Sequence, residues 1–283
     1  MEKEFSGKTI ILGVPNHFGL PERFKENLEF LGFKVFLLEF NRNFKMSVQD
    51  TLKHVLKKIF KKEKKYKAQK KAEFFEEQHL VFIENIKEKI DFSLIIRPDL
   101  YSRKVIKKIR EKALLSTAYQ WDGLERFPLA KELIDDFDRF FVFDVRDAEK
   151  NPKCLPITNF YFDDLMQETN IKTDVFFVGT FMKERMSLLV NLKKKFNNLK
   201  LKSEMYIVTD SQKKKDQFRD SGLIFSKEGM SFKENLIKTK ESNVVVDFQN
   251  PRHYGISFRA FETLGFKKKL ITNNLIIKEM DFY

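Results

Sequence analysis

The sequence predicts an α/β protein built from two tandem doubly wound domains. Short apolar runs alternate with amphipathic helical stretches along its 283 residues. This alternation is typical of a parallel sheet covered by helices on both faces. The length suits about two domains of ordinary size, and the alternating series starts afresh near Thr173. We therefore assign residues 1–165 to a first domain and residues 166–283 to a second.

In the first domain, the predicted strands are apolar runs bounded by turn residues or by helical stretches. They cover residues 8–14, 34–40, 92–96, 114–120, 138–145 and 154–157. The predicted helices between them have apolar residues at helical spacing. They cover residues 21–31, where Gly32 ends the helix, a long insertion over about 47–90 that breaks or bends near a lysine run, and residues 102–112.

The second domain repeats the rhythm without repeating the sequence. Its predicted strands cover residues 174–178, 201–208, 243–247 and 269–272. Its predicted helices cover residues 183–196, 211–220, 231–239 and 257–265. Two Rossmann-like domains in tandem would face each other across a cleft, and ligands of such folds bind beyond the carboxyl ends of the strands.

The composition excludes several classes of protein. Hydrophobic residues make up 42% of the chain and charged residues 34%, which is sufficient for packed cores and excludes a mainly disordered chain. The single cysteine, Cys154, rules out an intrachain disulfide, and four scattered histidines predict no metal site. Neither a membrane-spanning run nor a signal-peptide core is present, so we expect a cytoplasmic protein.

Most of the formal charge of +13 comes from one window. Between Lys53 and Lys71 there are ten lysines and one acid, Glu63, a net charge of +9. The apolar residues of the adjoining segment form one helical stripe: Leu52, Val55, Leu56, Ile59 and Phe60. Two interpretations of this basic segment stay open. It is either a solvated helix with its apolar stripe packed on the core, or a helix that contacts an anionic membrane surface from the cytoplasmic side. Nucleic acid is disfavoured because few aromatic residues are interleaved.

The stretch after the third predicted strand of the second domain carries the clearest chemistry. Gly255 lets a ligand approach the backbone, and the amides of Ser257 and Phe258 lie at a helix N-terminus, which favours a phosphate. Arg259 can add a charge-assisted hydrogen bond. Glu262, on the same face, suits the two vicinal hydroxyls of a ribose. The alternative is that Arg259 and Glu262 form a surface salt bridge with each other.

Three blocks of residues resemble one family. They are GISFRAFETLG at 255–265 followed by KLIT, VFFVGT at 175–180 with Arg185, and YQWDGLERFP at 119–128. The first two are similar to the donor-binding segments of GT-B-type glycosyltransferases. They more closely resemble bacterial lipopolysaccharide and capsule transferases related to the spore-maturation-protein-like group. The third block resembles one that occurs in polysaccharide-synthesis members of that group.

The resemblance implies a role for each matching residue. Gly179, Thr180 and Arg185 would face the donor phosphates. Gly255, Ser257, Phe258 and Arg259 would hold the diphosphate, and Glu262 the ribose, while residues 206–210 and the loop near Gly229 would border the base. Such enzymes stabilise the leaving diphosphate with helix dipoles and basic side chains. We therefore expect a nucleotide sugar as co-substrate and no cofactor or metal.

The resemblance assigns the acceptor, a glycan or a lipid-linked sugar, to the first domain. Asp122 is the first candidate for a general base because it follows a predicted strand directly; His17 is the second and Asp99 the third. Asp122 could instead cap the following turn, and His17 could be a loop residue with satisfied hydrogen bonds. Because a closing helix is absent after residues 269–272, we expect a truncated or an unusually short chain.

The sequence thus predicts a hexosyl-type glycosyltransferase that acts on a cell-surface polysaccharide or a lipid-linked acceptor. A non-catalytic nucleotide- or glycan-binding relative in polysaccharide assembly is the alternative. A nucleic-acid-binding protein that uses the lysine window is a third hypothesis, which salt-dependent binding would test.

Overall fold

The computed structural model describes residues 3–40, 43–60, 65–249 and 255–283. The chain divides into two compact units. The first extends to Thr158 and includes Gly255, and the second begins at Asn159 and includes Ile256–Tyr283. This division lies a few residues before the boundary at 165/166 that the sequence suggested.

The first unit contains a sheet of six parallel strands. They are β1 (Thr9–Gly13), β2 (Lys34–Leu38), β3 (Ile90–Ile96), β4 (Ala113–Gln120), β5 (Arg139–Val142) and β6 (Cys154–Pro156). The spatial order is β2-β1-β3-β4-β5-β6, and Ile11 of β1 pairs with Phe36 on one side and Ser93 on the other. The chain order therefore reverses between β1 and β3, which is where doubly wound sheets bind ligands.

The described helices of the first unit connect these strands. They are α1 (Leu20–Leu31), α2 (Val48–Phe60), α3 (Tyr66–Asn85), α4 (Arg103–Lys112), α5 (Pro128–Lys131) and α6 (Val145–Lys150). Gly32 ends α1 in the left-handed conformation, as expected. Ser102 Oγ accepts a hydrogen bond from the amide of Val105 at the start of α4. Residue 145, placed by the sequence in a strand, begins α6 because Asp144 caps that helix.

The predicted insertion over 47–90 forms two helices, α2 and α3, and its end contributes to β3. The lysines at 61, 62 and 64 lie outside the described residues. Of the two alternatives for the apolar stripe of α2, the one that packs it on the core is wrong: Leu52, Val55, Leu56 and Ile59 are all exposed. The helix contacts Tyr66 of α3 through its polar face instead. The side chain of Phe60 is not described.

The second unit contains a sheet of five parallel strands. They are β7 (Thr173–Thr180), β8 (Ser203–Val208), β9 (Ile224–Ser226), β10 (Ser242–Asp247) and β11 (Lys269–Thr272), in the order β11-β10-β7-β8-β9. The described helices are α7 (Lys183–Asn198), α8 (Gln212–Gln217), α9 (Phe232–Lys240) and α10 (Phe258–Gly265). Here the order reverses between β7 and β10. The sequence did not predict β9, because three residues are too few for a recognisable pattern.

The α/β class and the two parallel sheets that the sequence predicted are confirmed. Each unit has its own buried core. Ile11, Ile95 and Val105 contribute to the first, and Val175, Met205 and Val246 contribute to the second. Cys154 is buried in the first core, and burial raises the pKa of its thiol to about 11.

Candidate functional site

The carboxyl ends of β7 and β10 carry a group of charged and polar side chains in the second unit. Asp247, the last residue of β10, is buried. Ser257 Oγ donates a hydrogen bond to Asp247 Oδ2 over 2.8 Å. Arg259 Nη1, in the first turn of α10, lies 3.4 Å from Asp247 Oδ1. The carboxylate therefore holds two residues of the predicted diphosphate segment at the strand end.

A second guanidinium, that of Arg185 in the first turn of α7, belongs to the same group. Burial and then the neighbouring charge of Arg259 lower the pKa of Arg185, while Asp247 raises it. The Nε atoms of Arg185 and Arg259 are both buried without a hydrogen-bond partner in the described part of the chain. Two guanidiniums beside one carboxylate leave a net positive charge, and the two Nε–H groups leave hydrogen-bonding capacity for an anion.

Gly179 allows the close packing of this group. A Cβ atom at Gly179 would lie 3.0 Å from Phe177 Cζ and 3.8 Å from Arg185 Nη1. The Phe177 ring in turn lies 5.8 Å from Arg259 Cζ. Thr180 is exposed at the end of β7. The residues predicted from the VFFVGT block and from the GISFRAFETLG block are thus brought together.

Glu262 is buried in α10, with 1% of its surface exposed. Asn235 Nδ2 lies 3.4 Å from Glu262 Oε2, and Glu262 Oε1 has no partner among the residues described. Burial first, and then Asp247, raise the pKa of Glu262 to about 7, although Arg259 opposes this shift. The ion pair of Arg259 is formed with Asp247, so the alternative of an Arg259–Glu262 salt bridge is not realised.

The start of α10 is fixed by a glycine shortly before it and by contacts within the second unit. Gly255 has a φ of 145°, a conformation that favours glycine. Asn159 Nδ2 donates to the carbonyl oxygen of Ile256 over 2.8 Å. The Phe258 ring packs edge-on against Phe160, with centroids 5.2 Å apart. Phe258 therefore contributes packing through its side chain and a first-turn amide through its backbone.

The first unit has its own charged group where β3 and β4 end. Arg97 has a left-handed backbone, with φ 58°. It forms two hydrogen bonds of 2.7 Å with the carboxylate of Asp99 and a third of 3.0 Å with Asp122 Oδ2. Its Cζ lies 3.6 Å from the centroid of the Phe127 ring. The sequence did not identify Arg97, because its one local signal, a place directly after a buried strand, is common to many strand ends.

The candidate bases differ in their surroundings. Asp99 is buried, and both of its oxygens accept hydrogen bonds from Arg97. Asp122 is half-buried and also lies 3.3 Å from Arg126 Nη1. His17, in the loop after β1, is exposed. Partial desolvation, and then the charges of Lys71 and Arg97, lower the pKa of His17. All three candidates lie at the same edge of the six-stranded sheet.

Comparison with known proteins supports the fold and gives no closer relationship. No protein-family model matches the chain, and no curated protein matches it in sequence. A trehalose-phosphate synthase (UDP-forming) from Burkholderia xenovorans, solved with glucose-6-phosphate, is 11% identical, covers 96% of this chain and 87% of its own, and has a TM-score of 0.55. An α-glucosyltransferase solved with UDP and a 13-mer DNA is also 11% identical. The match covers 94% of this chain and 79% of the glucosyltransferase, with a TM-score of 0.53.

The chain has the GT-B fold. Within this GT-B chain, the group around Asp247 lies where the strand order of the second sheet reverses, between β7 and β10. His17 and Arg97 follow β1 and β3, the strands between which the order of the first sheet reverses. Both groups therefore occupy the positions at which doubly wound sheets bind ligands.

Two further observations concern metals and membranes. In the described ranges, His, Cys, Asp and Glu side chains form no group of three or more that could hold a metal ion. Residues 136–138 read Asp-Phe-Asp, a spacing of two carboxylates that could suit a metal. Both carboxylates form ion pairs instead, Asp136 with Arg103 and Asp138 with Arg110. No helix in the described part of this GT-B chain has the length and apolar character needed to cross a bilayer.

Proposed function

We propose that the protein is a glycosyltransferase that transfers a sugar from a nucleoside-diphosphate donor to a glycan or a lipid-linked acceptor. One observation carries the proposal: Arg259 pairs with Asp247, and the charge of Arg185 interacts with both, at the carboxyl edge of the second sheet in a chain with the GT-B fold. Two guanidiniums at one point match the charge and the oxygens of a diphosphate.

The chemistry of donor cleavage fits these residues. When the bond between the anomeric carbon and the diphosphate breaks, the bonding pair leaves with the phosphate oxygen, and negative charge accumulates there. In this proposal Arg185, Arg259 and the first-turn amides of α10 would stabilise that charge, since the two Nε–H groups have hydrogen-bonding capacity left. In this mechanism the chain's own cations do the work, so we propose that transfer needs no metal. Glu262 lies one turn further along α10 and would receive the ribose hydroxyls.

For an inverting reaction, the first unit must supply a base that removes the acceptor proton. His17 is exposed and has a lowered pKa, so it is neutral and able to accept a proton near pH 7. Asp122 is the carboxylate alternative, because Asp99 is buried and fully engaged by Arg97. A retaining reaction would need neither.

The finer assignment rests on the resemblance of residues 255–265 to the lipopolysaccharide and capsule transferases of the spore-maturation-protein-like group. We propose on this basis a hexosyl donor, a cell-surface polysaccharide product and a place on the inner side of the cell membrane. UDP is the first nucleotide to test, because the α-glucosyltransferase was solved with UDP and the trehalose-phosphate synthase is named as UDP-forming.

One observation favours the alternative of a non-catalytic nucleotide- or glycan-binding protein. Asp99 and Asp122, two of the three candidate bases, both accept hydrogen bonds from Arg97. Carboxylate oxygens that already accept hydrogen bonds from a guanidinium are less available to the hydroxyl of an acceptor. Under this alternative the protein binds a donor without turning it over.

The test begins with a thermal-shift and calorimetric screen of UDP, GDP, ADP, TDP and CMP, followed by the matching sugar nucleotides. A nucleoside diphosphate that binds, together with hydrolysis of its sugar conjugate, supports the transferase. Binding without hydrolysis, even with candidate acceptors present, supports the non-catalytic alternative. If no nucleoside diphosphate binds, the transferase and the nucleotide-binding form of the alternative are both wrong.

A further inference from the structure

Helix α2 presents its apolar stripe to solvent. Val48 is 87% exposed, Leu52 61% and Ile59 65%, and Val55 and Leu56 are exposed as well. These residues recur at helical spacing and lie on one face of α2. An amphipathic helix on the surface of a globular domain normally turns its apolar face toward the core. The apolar face of α2 points the other way.

The polar face of α2 accounts for this orientation, because it is tied to α3. Tyr66 Oη donates a hydrogen bond to Asp50 Oδ1 over 2.7 Å. The His54 and Tyr66 rings are stacked with centroids 6.4 Å apart, and Lys57 Nζ lies 4.5 Å from the centroid of the Tyr66 ring. Asp50, His54 and Lys57 all lie opposite the apolar stripe. Rotating the stripe inward would break all three contacts.

The size of α2 limits what its stripe can contact. Thirteen residues are too few to cross a bilayer, which takes about 20. They are enough for a helix that lies in the plane of a membrane interface, with its apolar face at the level of the headgroup and acyl boundary. The stripe has aliphatic side chains at successive turns, as such a helix requires.

Charge identifies the membrane as an anionic one. The window from Lys53 to Lys71 carries a net charge of +9, and Lys53 is exposed on α2 itself. Asp50 is the only acid within α2, and it is bonded to Tyr66 on the face away from the stripe. A surface that combines aliphatic side chains with lysines complements anionic phospholipid, which attracts basic segments next to it. It complements neither a neutral apolar partner nor a second copy of the same basic surface.

We propose that α2 docks this protein on an anionic phospholipid surface, with its apolar stripe inserted at the interface and the exposed Lys53 against the headgroups. The proposal goes beyond sugar transfer, because the binding requires neither a donor nor an acceptor. It replaces the general idea of a basic window near the membrane with a defined helix and a defined insertion face.

The test is co-sedimentation of the full chain with vesicles of phosphatidylcholine alone or with about one third phosphatidylglycerol. We expect binding to the anionic vesicles only, and weaker binding as salt is added. A double Leu52→Ser and Ile59→Ser variant should lower the partition coefficient by roughly 30-fold or more, since two inserted side chains are lost. Leu199→Ser and Leu275→Ser, in the second unit, remove residues of similar exposure (68% and 70%) and should change nothing.

The changed residues are exposed, so the variants should keep the native thermal unfolding transition, which serves as the folding control. The proposal is overturned if the native protein does not bind anionic vesicles, or if the double variant binds them as well as the native protein. It is also overturned if the native chain is a dimer in solution that the double variant dissociates, because the stripe would then be a protein interface. Nucleotide binding is measured separately, so loss of vesicle binding with retained UDP affinity would leave the proposed function intact.

Discussion

Arg259 Nη1 lies 3.4 Å from Asp247 Oδ1 at the carboxyl end of β10. This contact organises the candidate donor site. Asp247 also accepts the Ser257 hydroxyl, and its charge partly balances the guanidiniums of Arg185 and Arg259. When Glu262 is protonated, these charges leave the group with a net positive charge. The predictions below test this group and its counterpart in the first unit.

Arg259→Ala should weaken binding of a nucleoside diphosphate by roughly 10- to 100-fold, because a buried charge-assisted hydrogen-bond donor is lost. Isothermal titration calorimetry gives the dissociation constants. Arg219→Ala is the matched control: this arginine of the second unit is exposed and pairs with Asp216, so its loss should leave the affinity unchanged. Equal effects of the two substitutions would show that general surface charge, and not this site, attracts the ligand.

Glu262→Gln should remove a pH dependence of stability. The folded protein raises the pKa of Glu262 from its ordinary 4.5 to about 7, so the native state holds this proton more tightly than the unfolded chain does. Stability from this group is therefore present below pH 4.5 and is lost as the pH rises to 7. The variant should exceed the native protein in the free energy of unfolding by less than about 1 kcal/mol at pH 5 and by up to about 3 kcal/mol at pH 8.

Urea unfolding at the two pH values measures this difference. Glu184→Gln, at an exposed position on α7, controls for the loss of a carboxylate elsewhere in the same unit. A gap between native protein and Glu262→Gln that is the same at pH 5 and pH 8 would mean that the Glu262 carboxyl is not desolvated in solution.

The identity of the base can be decided by two substitutions in the first unit. If His17 is the base, His17→Ala should lower kcat by about 100-fold or more with little change in donor affinity. The acid limb of the pH–rate profile should then lie below pH 6.5, because the pKa of His17 is lowered. If Asp122→Asn has the large effect instead, the carboxylate is the base. Asp135→Asn is the control, since Asp135 is an exposed partner of Lys153.

Gly265→Ala should destabilise the second unit. A Cβ atom at this position would overlap the ring of Tyr161, and relieving such an overlap costs about 1–3 kcal/mol. The free energy of unfolding measures the loss, and a second substitution, Tyr161→Ala, should recover part of it. Gly123→Ala, whose Cβ would meet its nearest atom at 3.8 Å, should be nearly neutral. The glycine that ends the GISFRAFETLG block is thus explained by packing.

Part of the site could be predicted from sequence because it is encoded locally. Arg185 and Arg259 belong to the first turns of helices that follow strands, and Ser257 directly precedes α10. The strand–loop–helix pattern is visible in the order of residue types. Asp247 and Arg97 were missed, because a charged residue at the end of an apolar strand resembles any other strand terminus. Their roles depend on partners 12 and 25 residues away, which no local pattern specifies.

The sequence by itself determined the α/β class, the two parallel sheets and most of their strands, because alternating apolar runs and amphipathic stretches can bury their apolar surface in few other ways. The tertiary structure alone decided which way α2 faces. Periodicity defines a stripe but not its neighbours, and the contacts of Asp50, His54 and Lys57 with Tyr66 turn that stripe outward. It likewise decided that Arg185 and Arg259, 74 positions apart in the sequence, interact electrostatically with the same carboxylate, that of Asp247. The pairing of β7 with β10 places the strands that precede the two arginines side by side.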